Sequence, residues 1–416
     1  MKILVIGNGG RESAIIKKIA ESKQLTKLYC APGNPGIELS AECLKIDINS
    51  NKEIIDFSKN NKIDLIVCGP EIPLVNGLGD EARQNDILFF GPLKRSAMLE
   101  GSKYFAKSFM EKYNIPTAEF RYFTDYNAAV DYINNIVTFP VVIKADGLAA
   151  GKGVKIPTNK NDALLVLKEF MVDRIHGTSG ESVVIEECMT GEEMSALFIT
   201  DGENFIELIA AKDYKRAYDN NKGENTGGMG AYAPHTSVTD QLKKQIRSEI
   251  IDRVRQGFSK EGYDYRGVLY VGLMLTQDGP KVVEFNCRFG DPETQVILPL
   301  IDSDFIELLT KTAEGYLNGY EIKWKKDFSA CVVIASGGYP AKYKSGIKVD
   351  FKIPVDSILH AGTKKDPLTG SILTNGGRVF NAVAVGKTKQ EALKSAYKIA
   401  EAVSFEGSFY RKDIGS

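Results

Sequence analysis

Residues 1 to about 95 constrain the fold most, because short apolar runs at 3–6, 27–30, 64–68 and 87–90 alternate there with amphipathic stretches at 11–22, 52–60 and about 75–85. That alternation predicts a parallel, doubly wound sheet with helices on both faces. Open α/β sheets bind ligands beyond the carboxyl ends of their strands. Two polar turns fall at such ends, Gly7-Asn8-Gly9-Gly10-Arg11-Glu12 and Gly69-Pro70-Glu71.

The rest of the chain reads as further α/β lobes. A helix is expected at about 102–113, stopped by Asn114 and Pro116, and a new region opens at Pro140-Val141-Val142-Ile143-Lys144. From 182 to about 319 the pattern is strand-rich, with a glycine-dense loop at 225–230, and a strand at 330–335 begins a final lobe. A chain of 416 residues is too long for one core. The expected division is an N-terminal α/β domain at 1–100, a central region at 101–328 built of two subdomains (about 120–190 and 191–328), and a small C-terminal α+β lobe at 329–416.

Composition narrows the function classes. A formal net charge of -1 supplies no basic field for nucleic acid. Apolar runs such as 296–301 fall far short of the roughly 20 residues that span a bilayer. The opening run passes straight into Gly7 and a polar turn, unlike a signal peptide. The expectation is a cytoplasmic protein without nucleic-acid or membrane partners, and a monomer, since no coiled-coil pattern is present. Six scattered cysteines and three isolated histidines offer little for a zinc site or a Ser-His-Asp triad. Chemistry is expected to run on Lys, Arg, Asp and Glu.

The turn after the first strand departs from a dinucleotide fingerprint. Glu12 stands where G-x-G-x-x-G requires glycine, and the second strand ends in Cys30-Ala31-Pro32-Gly33 rather than an acid for a ribose. A site for another phosphorylated small molecule stays open, with Arg11 as its charge, beside the plainer reading of a tight turn with a solvated arginine. Between Lys144 and Val154, small residues surround two lysines at a spacing that excludes a Walker A loop. What remains is a flap whose glycines let backbone close over a triphosphate while Lys144 and Lys152 offset its charge, or else a flexible hairpin with solvated lysines. Glu186 and Glu187 end an apolar strand, and Glu193 follows a turn. Such an edge suits adenine on backbone groups and ribose hydroxyls on Glu193, although edge strands also end in solvated glutamates.

The sharpest element is the run at 281–294. Glu284, Asn286 and Arg288 alternate with Phe285 and Cys287, so a strand puts the three polar side chains on one face. Two oxygen ligands beside a guanidinium suit Mg together with substrate phosphates, and the guanidinium can stabilise a transferring phosphoryl group. Lys212-Asp213-Tyr214-Lys215-Arg216, followed by the loop ending at Gly230, suits a zwitterionic substrate, with Asp213 for an ammonium and Arg216 or backbone N–H groups for a carboxylate.

Taken in order, GNGGRE at 7–12, GPE at 69–71, LEGSK at 99–103, KADGLAAGKGV at 144–154, NTGGMGAY at 225–232, EFNCRFGDPETQ at 284–295, HAGT at 360–363, TNGGRV at 374–379 and RKDIG at 411–415 resemble the ATP-grasp superfamily. Within it the pattern is similar to the phosphoribosylamine-glycine ligase (glycinamide ribonucleotide synthetase) family, over essentially the whole chain. The resemblance implies an ATP-grasp domain at 101–328 with a flap subdomain at about 120–190. It implies that ATP phosphorylates glycine and that the amine of 5-phosphoribosylamine attacks glycyl phosphate. The products would be glycinamide ribonucleotide, ADP and phosphate, in de novo purine (IMP) biosynthesis.

Residue by residue, the resemblance implies that Lys103 and Lys144 hold the ATP phosphates under a flap containing Gly151, Lys152 and Gly153. Glu186, Glu187 and Glu193 would serve adenine and ribose. Glu284 and Asn286 would bind Mg, or Mn in its place. Arg288 would stabilise both transition states, with Lys144 and Asp213 as the other catalytic groups. Gly9, Gly10, Arg11, Glu12, Glu71 and Asp291 are implied for phosphoribosylamine, and Asp213 with Gly228 for glycine. Many relatives carry a further metal-binding acid on the preceding strand; here that strand reads Leu269-Tyr270-Val271-Gly272-Leu273-Met274-Leu275, which leaves a second metal open. Three other readings stay open: an ATP-grasp ligase acting on formate or bicarbonate, a nicotinamide oxidoreductase, and a non-catalytic ATP sensor.

Overall fold

Lys2–Gly7 forms the centre of a parallel sheet, flanked by Lys27–Pro32 on one side and Leu65–Cys68 on the other. Leu88–Pro92 extends one edge and Glu42–Cys43 the other, both parallel. This computed structural model describes residues 1–135, 138–149 and 153–416. Ile3, Leu4, Val5 and Ile6 are all fully buried, as a strand covered by helices on both faces requires. The strand order reverses beside Lys2–Gly7, so the turns at 7–10 and 69–71 meet at the switch point. The helix expected at about 75–85 is instead two, Glu71–Val75 and Leu78–Gln84. Gly77 breaks it, with a left-handed φ of 88°.

The parallel sheet does not end at its own lobe. Tyr265 and Arg266 pair antiparallel with Pro92 and Gly91, which joins Tyr265–Thr276 to the sheet and carries it into the central region. There Tyr265–Thr276 lies between Glu192–Thr200 and Gly279–Asn286, both antiparallel. A second sheet of Phe120–Phe123, Val183–Glu187, Val141–Ala145 and Val154–Lys155 stands apart and carries the flap, backed by helices Tyr126–Asn135 and Lys160–Leu167. A third runs Lys212–Asp213, Gly230–Ala233, Phe328–Ala335, Arg378–Gly386, Leu359–His360, with helix Lys389–Glu401 packed on it. Asp213 and the glycine loop thus share a sheet with the C-terminal lobe.

The region expected to be strand-rich also holds helices at Asp240–Ile246, Asp252–Glu261 and Phe305–Glu314. Thr239 caps the first by accepting from Leu242 N, and Ile246, Ile250, Val254 and Phe258 recur at helical spacing as a buried stripe that runs from it through the wider turn Arg247–Ile251 into Asp252–Glu261. Among the described residues, no helix is long and apolar enough to cross a membrane.

Candidate active site

The face predicted on Gly279–Asn286 is present. Asn286 Nδ2 donates to Glu284 Oε1 at 3.3 Å, and Arg288 Nη2 donates to Asn286 Oδ1 at 3.2 Å. Arg288 is clamped from behind, with Nη2 at 3.1 Å from Glu100 Oε1 and Nε at 3.6 Å from Glu71 Oε2. Glu100 also accepts from Cys287 N at 2.6 Å, which ties helix Lys94–Gly101 to this strand end. Burial pushes the Glu100 carboxyl up, whereas at Glu71 burial, the largest single influence, is overcome by Arg288, Arg11, a backbone hydrogen bond and Lys103 acting together, which hold the carboxyl down. Arg288 Nε is buried without a hydrogen-bond partner.

Glu284 faces three ammonium groups. Burial disfavours its charge, but Lys215, Lys144 and Lys103 together keep the carboxyl below its ordinary range. Lys103, at the start of helix Lys103–Lys112, donates to Gly147 O at 2.6 Å and so touches the flap. Burial lowers the Lys103 ammonium, with Glu284 opposing. An ionised carboxylate and an amide side by side are hard oxygen donors, and no third acid joins them in a metal-sized cluster among the described residues. Such a half-site fits a divalent ion that keeps waters and takes its other ligands from phosphate oxygens. Tyr265–Thr276, opposite it, brings no acid.

The three glutamates expected at the nucleotide base and ribose differ in their surroundings. The Glu186 carboxylate is 3 % exposed and lies between Lys107 Nζ at 3.0 Å and Lys144 Nζ at 2.9 Å. Its side chain is therefore committed to the two lysines in the interior. Glu187 is half-exposed near Lys281 at 3.9 Å, and Glu193 pairs with Lys215 at 3.0 Å. Gly151 and Lys152 lie outside the described residues; Gly153 accepts from Ala145 N at 2.8 Å at the base of the flap.

Asp213 sits 3.4 Å from Ser195 Oγ, which also reaches Glu293 Oε1 at 3.2 Å and Tyr270 Oη at 2.6 Å. Burial, then the Asp213 charge, lifts the Glu293 carboxyl to about 7. Gly228 lies against the Asp291-Pro292 turn, where a Cβ would stand 2.3 Å from Pro292 Cδ.

The phosphosugar residues divide. Gly9, Gly10 and Asp291 line a cavity of about 230 Å³ together with Asn375, Arg378 and Asn381. Arg378 Nη2 stands 3.2 Å from Asp291 Oδ2 and, against the effect of burial, holds that carboxyl down. Arg11 and Glu12, by contrast, are buried on each other at 2.6 Å, with Arg11 Nη1 on Phe289 O and Glu12 Oε2 accepting from Gly9 N. The two charges expected to meet the phosphosugar are thus paired with one another in this structure. Glu12 fills the switch-point crevice, since a Cβ at Gly69 would lie 2.1 Å from its Oε1. A carboxylate of the chain itself thus occupies the helix N-terminus where a dinucleotide would place its pyrophosphate. Glu71 reaches the site through Arg288.

Glu100, Lys107, Lys215, Glu293 and Arg378 were not singled out from the sequence. Glu100 and Arg378 sit inside the LEGSK and TNGGRV runs and Glu293 inside the run after Arg288, so position was readable. Their partners were not, because each is met across a different element.

Comparison with known proteins bears on the family to which the chain belongs. Family models for the N domain, the ATP-grasp (A) domain and the C domain of phosphoribosylglycinamide synthetase match residues 1–100, 101–294 and 329–416. The chain is 47 % identical to a phosphoribosylamine–glycine ligase of Caldanaerobacter subterraneus subsp. tengcongensis, covering 100 % of both chains. It is 44 % identical to one of Clostridium acetobutylicum, covering 100 % of this chain and 99 % of that one. A crystal structure of the phosphoribosylamine–glycine ligase of Thermotoga maritima superposes with a TM-score of 0.86 at 35 % identity, over 100 % of each chain. On these grounds the chain belongs to the phosphoribosylamine–glycine ligase family of ATP-grasp enzymes.

Proposed function

We propose that this chain ligates glycine to 5-phosphoribosylamine with cleavage of ATP to ADP and phosphate, giving glycinamide ribonucleotide in de novo purine (IMP) biosynthesis. The observation that carries the reading is the continuity of the site. The Glu284-Asn286-Arg288 face meets Lys103 and Lys144 at one end, and its Glu71 clamp reaches the switch point beside the Gly9–Asp291 cavity at the other.

ATP would lie between the flap and the central sheet, its phosphates toward Lys103 and Lys144. Glu284 and Asn286 would hold Mg, or Mn in its place, which would offset charge on those phosphates. Asp213 accepts the glycine ammonium and leaves the carboxylate free. A carboxylate oxygen attacks the γ-phosphorus; the new O–P bond forms as the bond to the β–γ bridging oxygen breaks, and ADP leaves with the electron pair. The ribosyl amine then attacks the carbonyl carbon of glycyl phosphate. As the C–N bond forms, the acyl C–O bond breaks and the departing phosphate takes the proton that the amine sheds. Arg288, held by Glu100 and Glu71, adjoins both transfers and offsets charge as it develops. The phosphosugar would occupy the cavity of Gly9, Gly10, Asp291 and Arg378. We further propose the domain division at 1–100, 101–328 and 329–416, a cytoplasmic location and a monomeric state.

The test is trapping. ATP, Mg and glycine with hydroxylamine should yield glycine hydroxamate in the absence of the ribosyl amine. ADP release with formate or bicarbonate, and none with glycine, would refute the assignment.

A further inference from the structure

Lys107 is 2 % exposed, a depth at which a lysine persists when its charge is matched. It lies one helical turn after Lys103 on Lys103–Lys112, on the same face. Its ammonium meets Thr117 Oγ1 at 2.8 Å, Ala118 O at 3.2 Å and Glu186 Oε2 at 3.0 Å. Two hydrogen bonds and one ion pair thus close the ammonium in among three oxygens. Lys144 takes the other Glu186 oxygen at 2.9 Å and Val283 O at 3.1 Å, next to Glu284. The Glu186 contact is an ion pair without hydrogen-bond geometry, so beyond the bond to Val283 O the Lys144 ammonium keeps donor capacity.

The charges decide what this arrangement does. A buried Lys144–Glu186 pair by itself would be neutral, with the ammonium spent on its partner. With Lys107 present, two ammonium groups share one carboxylate and the cluster keeps one positive charge. Lys107 is closed in by acceptors, so the surplus belongs to Lys144, beside Glu284 and Lys103. We infer that Lys107 is a positioning residue for ATP, which neutralises Glu186 so that the charge of Lys144 remains available to the nucleotide phosphates. The inference rests on the reading that Lys144 meets ATP.

Charge-reversible substitution tests it, with ATP affinity read by calorimetry in Mg. Lys107→Met should weaken ATP binding about tenfold, the scale of one charge-assisted contact. Adding Glu186→Gln should bring affinity back to within about threefold of the parent, since Lys144 again carries an unspent charge. A lysine that merely braces the fold predicts the opposite, because the double variant loses more buried partners than the single one. Glu186→Gln alone keeps Lys107 on Thr117 and Ala118 and should bind ATP at least as tightly as the parent. An unchanged affinity in Lys107→Met, no recovery in the double variant, or a tenfold loss in Glu186→Gln would each overturn the inference. Lys144→Met separates the two levels. If that variant binds ATP normally, the site assignment fails; if it alone weakens binding, the assignment stands and the role of Lys107 falls.

Discussion

Replacing Glu293 by glutamine probes how the interior of the site is charged. Glu293 is 3 % exposed at the start of Glu293–Ile297 and faces Asp213 across the Ser195 hydroxyl. Burial, and after it the Asp213 carboxylate, raise its carboxyl from 4.5 to about 7, with Lys215 pulling the other way. In the unfolded chain the same group titrates near 4.5, so the folded state binds more protons in between. The stability that neutral Glu293 contributes is fully present below the unfolded value and is lost as pH rises through about 7. A gap of about 2.5 units, at about 1.4 kcal/mol each, amounts to about 3 kcal/mol. Glutamine cannot ionise and escapes the loss. The unfolding free energy of Glu293→Gln relative to the parent should therefore swing by about 3 kcal/mol in the variant's favour between pH 4.5 and pH 8. Urea unfolding in pH steps, followed by the fluorescence of Trp324, which is partly buried against the core that holds Val296 and Ile297, measures it. A difference that stays constant with pH would show that Glu293 is ionised throughout and does not share charge with Asp213.

Three further outcomes are expected. Arg288→Ala should abolish hydroxamate trapping, by about 10²–10³ in rate, while ATP still binds by calorimetry; trapping at the parent's rate would remove Arg288 from its role. Gly69→Ala puts a methyl 2.1 Å from Glu12 Oε1, and should cost about 1–3 kcal/mol and raise the KM for phosphoribosylamine by displacing the turn at Gly9; an unshifted melting temperature would refute the packing argument. His360 is fully buried with its ring held down to about 4 by burial, so the stability it contributes is present above its unfolded value of 6.5 and lost as pH falls through about 4. His360→Gln should melt with a flatter acid limb than the parent, and an identical limb would contradict the assignment.

The N-terminal half-sheet was legible because aliphatic runs and helical periods are local signals, and residues 3–6 are buried as their pattern requires. Missed were the helices at Asp240–Ile246 and Asp252–Glu261, whose polar composition hides a buried stripe of Ile246, Ile250, Val254 and Phe258. The Glu284-Asn286-Arg288 face was readable for the same reason as the sheet: alternation along one strand is a property of neighbouring residues. The partners of Arg11, Glu12 and Glu186 were not readable, because a sequence shows that a group is charged and not which opposite charge it will meet.

By itself, then, the sequence determined the strand and helix order of the first lobe, the one-sided polar strand and the family pattern, all carried by short-range spacing. Tertiary structure alone decided that Arg11 and Glu12 satisfy each other, that Lys107 and Lys144 share Glu186, and that Arg378 meets Asp291. Arg11 and Glu12 are chain neighbours turned onto each other by the packing around them, whereas the other pairings join segments far apart in the chain, and burial makes each charge take whichever partner the packing brings within about 3 Å.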